Sequence, residues 1–239
     1  MVEYKNGYVA FVDILGFSNL IMKEENYYGS KKLFDFVENI CEFYNSSGLD
    51  VKLAFFSDTI IITSDSCNLV EIALTIRILE SYLWDNLKLV FRGSVVKGLF
   101  YNENGIAFGP AIIDAYELEK KANTARIIVD NNILDKNLII NDIDGEHILN
   151  IEYLTIFEKC FDYCKAKMLF ETVFDTFQDR RNVIDKMLSE YKNTPVEYKY
   201  TPKKYMFNYI INDICESNGE NINLTLKTSE KSALKGLLI

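Results

Sequence analysis

Histidine is almost missing from this chain: His147 stands alone in 239 residues. A catalytic centre or metal site built on imidazoles is therefore disfavoured, and His147 itself reads as a surface or packing residue. A basic excess is missing too. Lys and Arg number 26 against 35 Asp and Glu, for a net charge of −9, so the positive footprint of a nucleic-acid-binding protein is lacking and no nucleic-acid partner is expected. An anionic substrate remains compatible with that balance if a metal ion and a few local basic residues screen it. The five cysteines, Cys41, Cys67, Cys160, Cys164 and Cys215, form no CxxC pair and no zinc spacing. Their odd number and the lack of a signal sequence lead to the expectation of reduced thiols and a cytoplasmic location. No apolar run is long enough to span a bilayer, so no membrane partner is expected. There is no Walker-type glycine loop, and any affinity for phosphate must come from metal and arginine.

What the chain does have is a large apolar fraction, 49%, enough for a substantial core. Two short stretches stand out against it. Phe11-Val12-Asp13-Ile14-Leu15-Gly16-Phe17 and Phe56-Ser57-Asp58-Thr59-Ile60-Ile61 each set one aspartate at the end or turn of an apolar strand. A carboxylate in such surroundings is costly without a partner, and two that converge repel each other. A divalent cation removes the conflict, since hard oxygen ligands suit Mg²⁺ or Mn²⁺. The competing interpretation is two unrelated turn aspartates, because Asp favours turns for local reasons.

The periodicities give an order of elements. Tyr8 to Ile14 reads as a buried strand, and Ser30 to Tyr44 carries a helical apolar stripe ended by Ser46-Ser47-Gly48. Val51 to Phe56 and Thr59 to Thr63 read as a hairpin around Ser57-Asp58. Asn68 to Trp84 follows as an amphipathic helix, Leu87 to Val96 as a strand, and Asn102-Glu103-Asn104-Gly105 as a loop. Pro110 marks a helix start, with the helix running to about Lys121, and Arg126 to Val129 reads as a short strand. The sum is an α+β fold with a ferredoxin-like βαββαβ core. After about Asn150 the texture becomes helical, over Phe157 to Tyr191 and Lys203 to Glu216, with a polar tail from Ser217. The expected organisation is a core over residues 1–150 and a helical C-terminal extension over 151–239, packed on the core or a dimer interface. The Tyr and Phe residues between Tyr191 and Tyr209 fit packing or dimer contact better than base stacking, given the acidic balance.

With the first strand and the hairpin in place, the chain resembles the class III nucleotidyl cyclases, whose metal-binding aspartates stand where Asp13 and Asp58 stand here. The pyrimidine-specific branch, the cyclases of Pycsar anti-phage systems, resembles it more closely. That resemblance rests on Arg92-Gly93-Ser94-Val95-Val96-Lys97-Gly98, Phe108-Gly109-Pro110-Ala111, Ala115-Tyr116-Glu117-Leu118-Glu119, Ala122 and Arg126-Ile127, with a weaker echo at Lys204-Tyr205. It covers roughly residues 8 to 130. The purine-reading residues of the wider family are not matched: their places fall near Ala54 and Ile106, and the usual Asn and Arg of the later helix near Ile113 and Glu117. Ala125 replaces a proline more usual in the pyrimidine branch.

The resemblance implies an enzyme that cyclises UTP or CTP to the 3′,5′-cyclic mononucleotide with release of pyrophosphate, as a second-messenger synthase in bacterial anti-phage defence. It implies two Mg²⁺ or Mn²⁺ ions per site, held by Asp13, Asp58 and the backbone carbonyl of Ile14, and a homodimer whose sites form between protomers. Arg126 is the implied catalytic cation. The nucleotide is expected at Leu15, Gly16, Phe17, Phe56, Arg92 and Tyr116, with the turn amides before the next helix cradling phosphate and Gly16 allowing close approach. Lys97 and Phe55 are weaker candidates. Of Glu117 and Glu119, an exposed helix face accounts for at least one. The alternative is a catalytically silent cyclase-like module that binds a nucleotide or a partner.

Overall fold

The structure, a computed structural model, describes residues 3–22, 27–47, 50–66, 69–136, 138–142, 145–150, 178–193 and 197. The chain divides into two units, Met1–Ile139 with His147–Ile151 and Ile140–Glu146 with Glu152–Ile239.

In the first unit, β1 (Lys5–Leu15) is apolar on both sides: Tyr8, Val9, Ala10, Val12 and Ile14 are all buried. Such a run marks a strand covered on both faces. The short α1 (Phe17–Met22) leads to α2 (Tyr27–Ser47), which buries Leu33, Val37, Ile40 and Tyr44 at helical spacing. The hairpin of β2 (Val51–Phe56) and β3 (Thr59–Ser64) follows. Next comes α3 (Leu69–Tyr82), with Leu69, Ile72, Ala73, Ile76 and Leu79 buried. It runs into a π-helical turn, Leu83–Leu87, closed by Lys88 in the left-handed region. β4 (Val90–Glu103), β5 (Ile106–Phe108), α4 (Pro110–Glu119), β6 (Ile127–Val129) and β8 (His147–Leu149) complete the series of this unit, while β7 (Ile139–Asn141) falls mostly in the second. In the second unit a helix covers 178–190, inside the helical stretch expected there. The rest of the expected C-terminal extension lies outside the described residues.

The sheet runs β2-β3-β1-β4-β6-β8, with β5 folded onto β4. The first four strands are mutually antiparallel, while β6 runs parallel to β4. Spatial order β2-β3-β1-β4 with helices in the two crossovers is the ferredoxin-like βαββαβ arrangement, as the sequence pattern implies.

The third long strand departs from expectation. It does not end at Val96; β4 continues to Glu103 and returns as β5. The segment expected as a loop is the hairpin turn, with Asn104 at φ 53° and Gly105 at φ 77°. Asn-Gly is the pair a type I′ hairpin favours, because both central residues need positive φ.

Helix α4 lies over one face of β1 and β4. Val9, Val96, Phe100, Ala111 and Ala115 form a buried cluster there, flanked by Phe11, Ile61 and Leu118. Side chains alternate along a strand, so Asp13, two residues from Phe11 on β1, and Arg92, four from Val96 on β4, belong to the same face. The helix is laid down in step with β4. Ala111 packs against Gly98, where a Cβ would stand 3.2 Å from its methyl. The buried Ser94 hydroxyl donates to the Ala115 carbonyl at 2.6 Å. One turn further on, Glu119 arrives at Arg92.

Candidate functional site

The turn of the β2–β3 hairpin is two residues long. Ser57 takes φ 55°, a conformation costing a non-glycine residue about 1–2 kcal/mol. The turn is anchored: the Ile14 amide donates to the Asp58 carbonyl at 2.8 Å, one step beyond the register pair Asp13–Thr59. Asp13, on β1, and Asp58, in the turn before β3, distant in sequence, are thereby neighbours along the backbone. Asp58 is half-buried, and among the described residues its side chain takes no hydrogen bond or ion pair.

Asp13 is engaged. It lies opposite Arg92 in the β1–β4 ladder, and the Arg92 Nε–H donates to its Oδ2 at 3.1 Å. The same Nε stands 2.6 Å from Glu119 Oε1. The Nε–H points to Asp13 rather than to Glu119. Glu119 Oε1 is buried and without a hydrogen bond among the described residues. The contact with Glu119 is one of charge rather than direction. Burial pushes the Glu119 carboxyl above the usual range, Arg92 pulls it back, and Asp13 adds to the upward push.

Glu119 is a residue that sequence patterning does not single out. Glu117, its neighbour two positions away, is exposed and pairs with Lys120 at 2.7 Å. The available signal is the spacing Ala111, Ala115, Glu119, a buried stripe at i, i+4 and i+8 that ends in a charge.

The other expected residues are placed as follows. Leu15 is buried and Phe17 half-buried, while Gly16 sits between them at φ 85°. The following helix α1 has six residues, too short for a strong dipole at its N-terminus. Arg126 is at the same end of the sheet, since its carbonyl accepts from the Gly93 amide at 2.9 Å. Its guanidinium donates to the carbonyls of Ala122 (2.9 Å) and Lys121 (3.3 Å), closing the turn after α4. Phe56, at the hairpin tip, is 80% exposed. Tyr116 packs edge-to-face on Phe11 with centroids 5.5 Å apart, and Lys120 lies over its ring at 4.0 Å. Lys97 lies over Tyr8 on the exposed side, away from Asp13.

Three carboxylates, Asp13, Asp58 and Glu119, thus share this end of the sheet with Arg92. With all three ionised the excess is two negative charges, the complement of one divalent cation. Among the described residues no group of three or more His, Cys, Asp and Glu is arranged to hold a metal. The donors that fit are the two aspartate carboxylates and a nearby backbone carbonyl such as that of Ile14. This all-oxygen set suits Mg²⁺ or Mn²⁺, which keep part of their water shell.

No protein-family model and no curated protein match the chain. Solved structures similar to it include an adenylate/guanylate cyclase/hydrolase from Silicibacter pomeroyi, at 17% identity and TM-score 0.43, covering 62% of this chain and 96% of that one. A second is the catalytic core of a rhodopsin–guanylyl cyclase with converted specificity in complex with ATPαS, at 12% identity and TM-score 0.42, covering 61% and 95%. A third is a bacterial light-regulated adenylyl cyclase, at 14% identity and TM-score 0.37, covering 66% of this chain and 57% of that one.

Proposed function

We propose that the chain is a divalent-metal-dependent nucleotidyl cyclase that converts UTP or CTP to the 3′,5′-cyclic mononucleotide and pyrophosphate. The observation that carries this is the backbone proximity of Asp13, on β1, and Asp58, in the β2–β3 turn, beside an excess of negative charge. Cyclisation joins the ribose 3′-oxygen to the α-phosphorus and breaks the bond to the β-phosphate oxygen. Mg²⁺ or Mn²⁺ held by Asp13, Asp58 and the Ile14 carbonyl, two ions per site, would lower the pKa of the 3′-hydroxyl and neutralise the triphosphate. Arg92 is the guanidinium at hand for phosphate oxygens, which it can grip bidentately. Arg126 closes the same end of the sheet and is the second cation available.

The homodimer belongs to this reading. Ile106, Ile113, Tyr116 and Phe56 are large apolar side chains left exposed on the chain alone, and a two-fold assembly would cover such a surface with its own copy. The pyrimidine preference rests on Ala54, buried and apolar, and Ile106, exposed and apolar, in places where a purine would need polar partners. Each unpaired polar group of a buried purine costs about 1–3 kcal/mol. A defence role through a cyclic-nucleotide messenger rests on the resemblance of the Arg92–Gly98 and Ala115–Glu119 segments to the pyrimidine branch. The silent-module alternative draws on one observation: Asp13 is already paired with Arg92.

The test is incubation of the full chain with all four nucleoside triphosphates at equal concentration and Mn²⁺, with products identified by mass. Cyclic UMP or cyclic CMP as the main product supports the proposal. Cyclic AMP or cyclic GMP overturns the pyrimidine preference, and no cyclic product favours the silent module.

A further inference from the structure

The Arg92 guanidinium faces two carboxylates with a single Nε–H. It donates that hydrogen to Asp13 at 3.1 Å, although Glu119 Oε1 is nearer at 2.6 Å. The Glu119 side chain is only 5% exposed, and its Oε1 has no hydrogen bond among the described residues. A buried carboxylate oxygen left in that state is costly. The arrangement is therefore unfinished on one side: a small rotation of the guanidinium would turn the Nε–H from Asp13 towards Glu119.

We propose that Arg92 is a gate on Asp13, occupying its carboxylate in the metal-free protein and turning to Glu119 when a divalent cation takes Asp13. This rests on the metal site proposed above. Glu119 is then a positioning residue: it touches neither metal nor nucleotide and acts through Arg92. Its burial matters, because a solvated carboxylate would hold the guanidinium less firmly. Its place at the end of α4 matters as well, because Ala111 on Gly98 and Ala115 on Ser94 fix the height at which it meets β4. In the cation-bound state every charge has a partner, with Asp13 and Asp58 on the cation and Glu119 on Arg92. In the cation-free state Asp13 is shielded by Arg92, and the repulsion between the two aspartates is reduced. The gate makes cation binding an exchange of one positive group for another at Asp13, and the released guanidinium stays beside the phosphates it could contact.

The test uses Mn²⁺ alone, with free ion measured by electron paramagnetic resonance, on wild type, Arg92→Gln, Glu119→Gln, the double variant and Asp58→Asn. The gate predicts that Arg92→Gln binds Mn²⁺ more tightly, by about tenfold, because no guanidinium competes. Glu119→Gln binds it more weakly, because Arg92 is left with Asp13 as its only counter-charge. The double variant behaves like Arg92→Gln, since Glu119 acts only through Arg92. If Glu119→Gln weakens Mn²⁺ by the same factor in both backgrounds, Glu119 is merely a distant negative charge and the gate is wrong. Wild-type affinity in Arg92→Gln also overturns it. Asp58→Asn separates the two levels: Mn²⁺ binding that does not depend on Asp58 removes the metal site itself, while Asp58-dependent binding indifferent to Arg92 removes only the gate. Should a variant fail to fold, the wild-type Arg92 Nε–H resonance decides the matter instead. It should shift on saturation with diamagnetic Mg²⁺, and a resonance that stays fixed means that no exchange occurs.

Discussion

The two ends of β1 carry opposite designs for charge. At its start, about 27 Å from Asp13 at strand rise, Lys5 pairs with Asp65 and Lys52 with Glu103, side chain to side chain and partly solvated. Asn102, buried beside them, donates to the Thr63 hydroxyl at 3.0 Å and the Lys52 carbonyl at 3.3 Å. Each side chain named has its own partner. At the other end one guanidinium is shared by Asp13 and Glu119, and the Asp58 side chain has no partner among the described residues. The named pairs close within the chain, although Asp65 also pushes the neighbouring Asp50 carboxyl up. An end left with surplus negative charge has its complement outside the chain, and the sheet supplies the rigidity that lets such a surplus persist.

The largest effect should come from the unbalanced end. On the proposed function, Asp58→Asn takes away one ligand of the proposed cation and should lower cyclase turnover by at least about a hundredfold, since a metal ion contributes several kcal/mol to such a transition state. In chelator the variant should melt no lower than wild type, because one of two facing carboxylates is gone. A folded Asp58→Asn protein with wild-type turnover would sink the assignment of both aspartates.

The satisfied end should answer differently. Asn102→Ala leaves the buried Thr63 hydroxyl without this donor and should cost about 1–3 kcal/mol in chemical denaturation, with Mn²⁺ affinity unchanged. Lys5→Met should cost less, about 1 kcal/mol at most, because its pair with Asp65 is partly exposed and screened. Loss of Mn²⁺ binding in either variant would break the contrast between the ends, showing that the paired charges also serve the cation.

Much of this contrast is legible in the sequence. Asp13 and Asp58 stand out because each interrupts an apolar run, and the Ser57-Asp58 turn because two β-rich segments flank it. The helices follow from stripes such as Leu33, Val37 and Ile40. The far end of β4 is not legible in the same way: beyond Gly98 the more exposed Leu99, Tyr101 and Glu103 alternate with the buried Phe100 and Asn102, and the partners come from β5 and the start of β1, which are set by tertiary pairing. The Asn104-Gly105 turn does carry a signal, masked by the polar Asn102 and Glu103 before it. Glu119 is hidden for a different reason. Glutamate is seldom buried, and only its register with Ala111 and Ala115 distinguishes it from Glu117. That Arg92 holds it is a property of the packed helix, which no spacing along β4 reveals.

The smallest expected effect concerns that buried carboxyl. Burial raises the Glu119 proton affinity, and Arg92 only partly opposes it. A carboxyl whose folded value lies above its ordinary 4.5 holds more proton in the folded chain than in the unfolded one at pH values between the two. The stability it contributes is therefore fully present below about pH 4.5 and is lost as pH rises through the raised folded value. In chelator, the melting temperature of wild type relative to Glu119→Gln should fall with rising pH across that window and level off above it. The glutamine variant removes the titrating group while keeping the size of the side chain. Parallel melting curves from about pH 4 to pH 8 would mean that Arg92 fully offsets the burial. The Glu119 end of the helix would then be as balanced as the Lys5 end of the sheet, and the contrast would narrow to Asp58 alone.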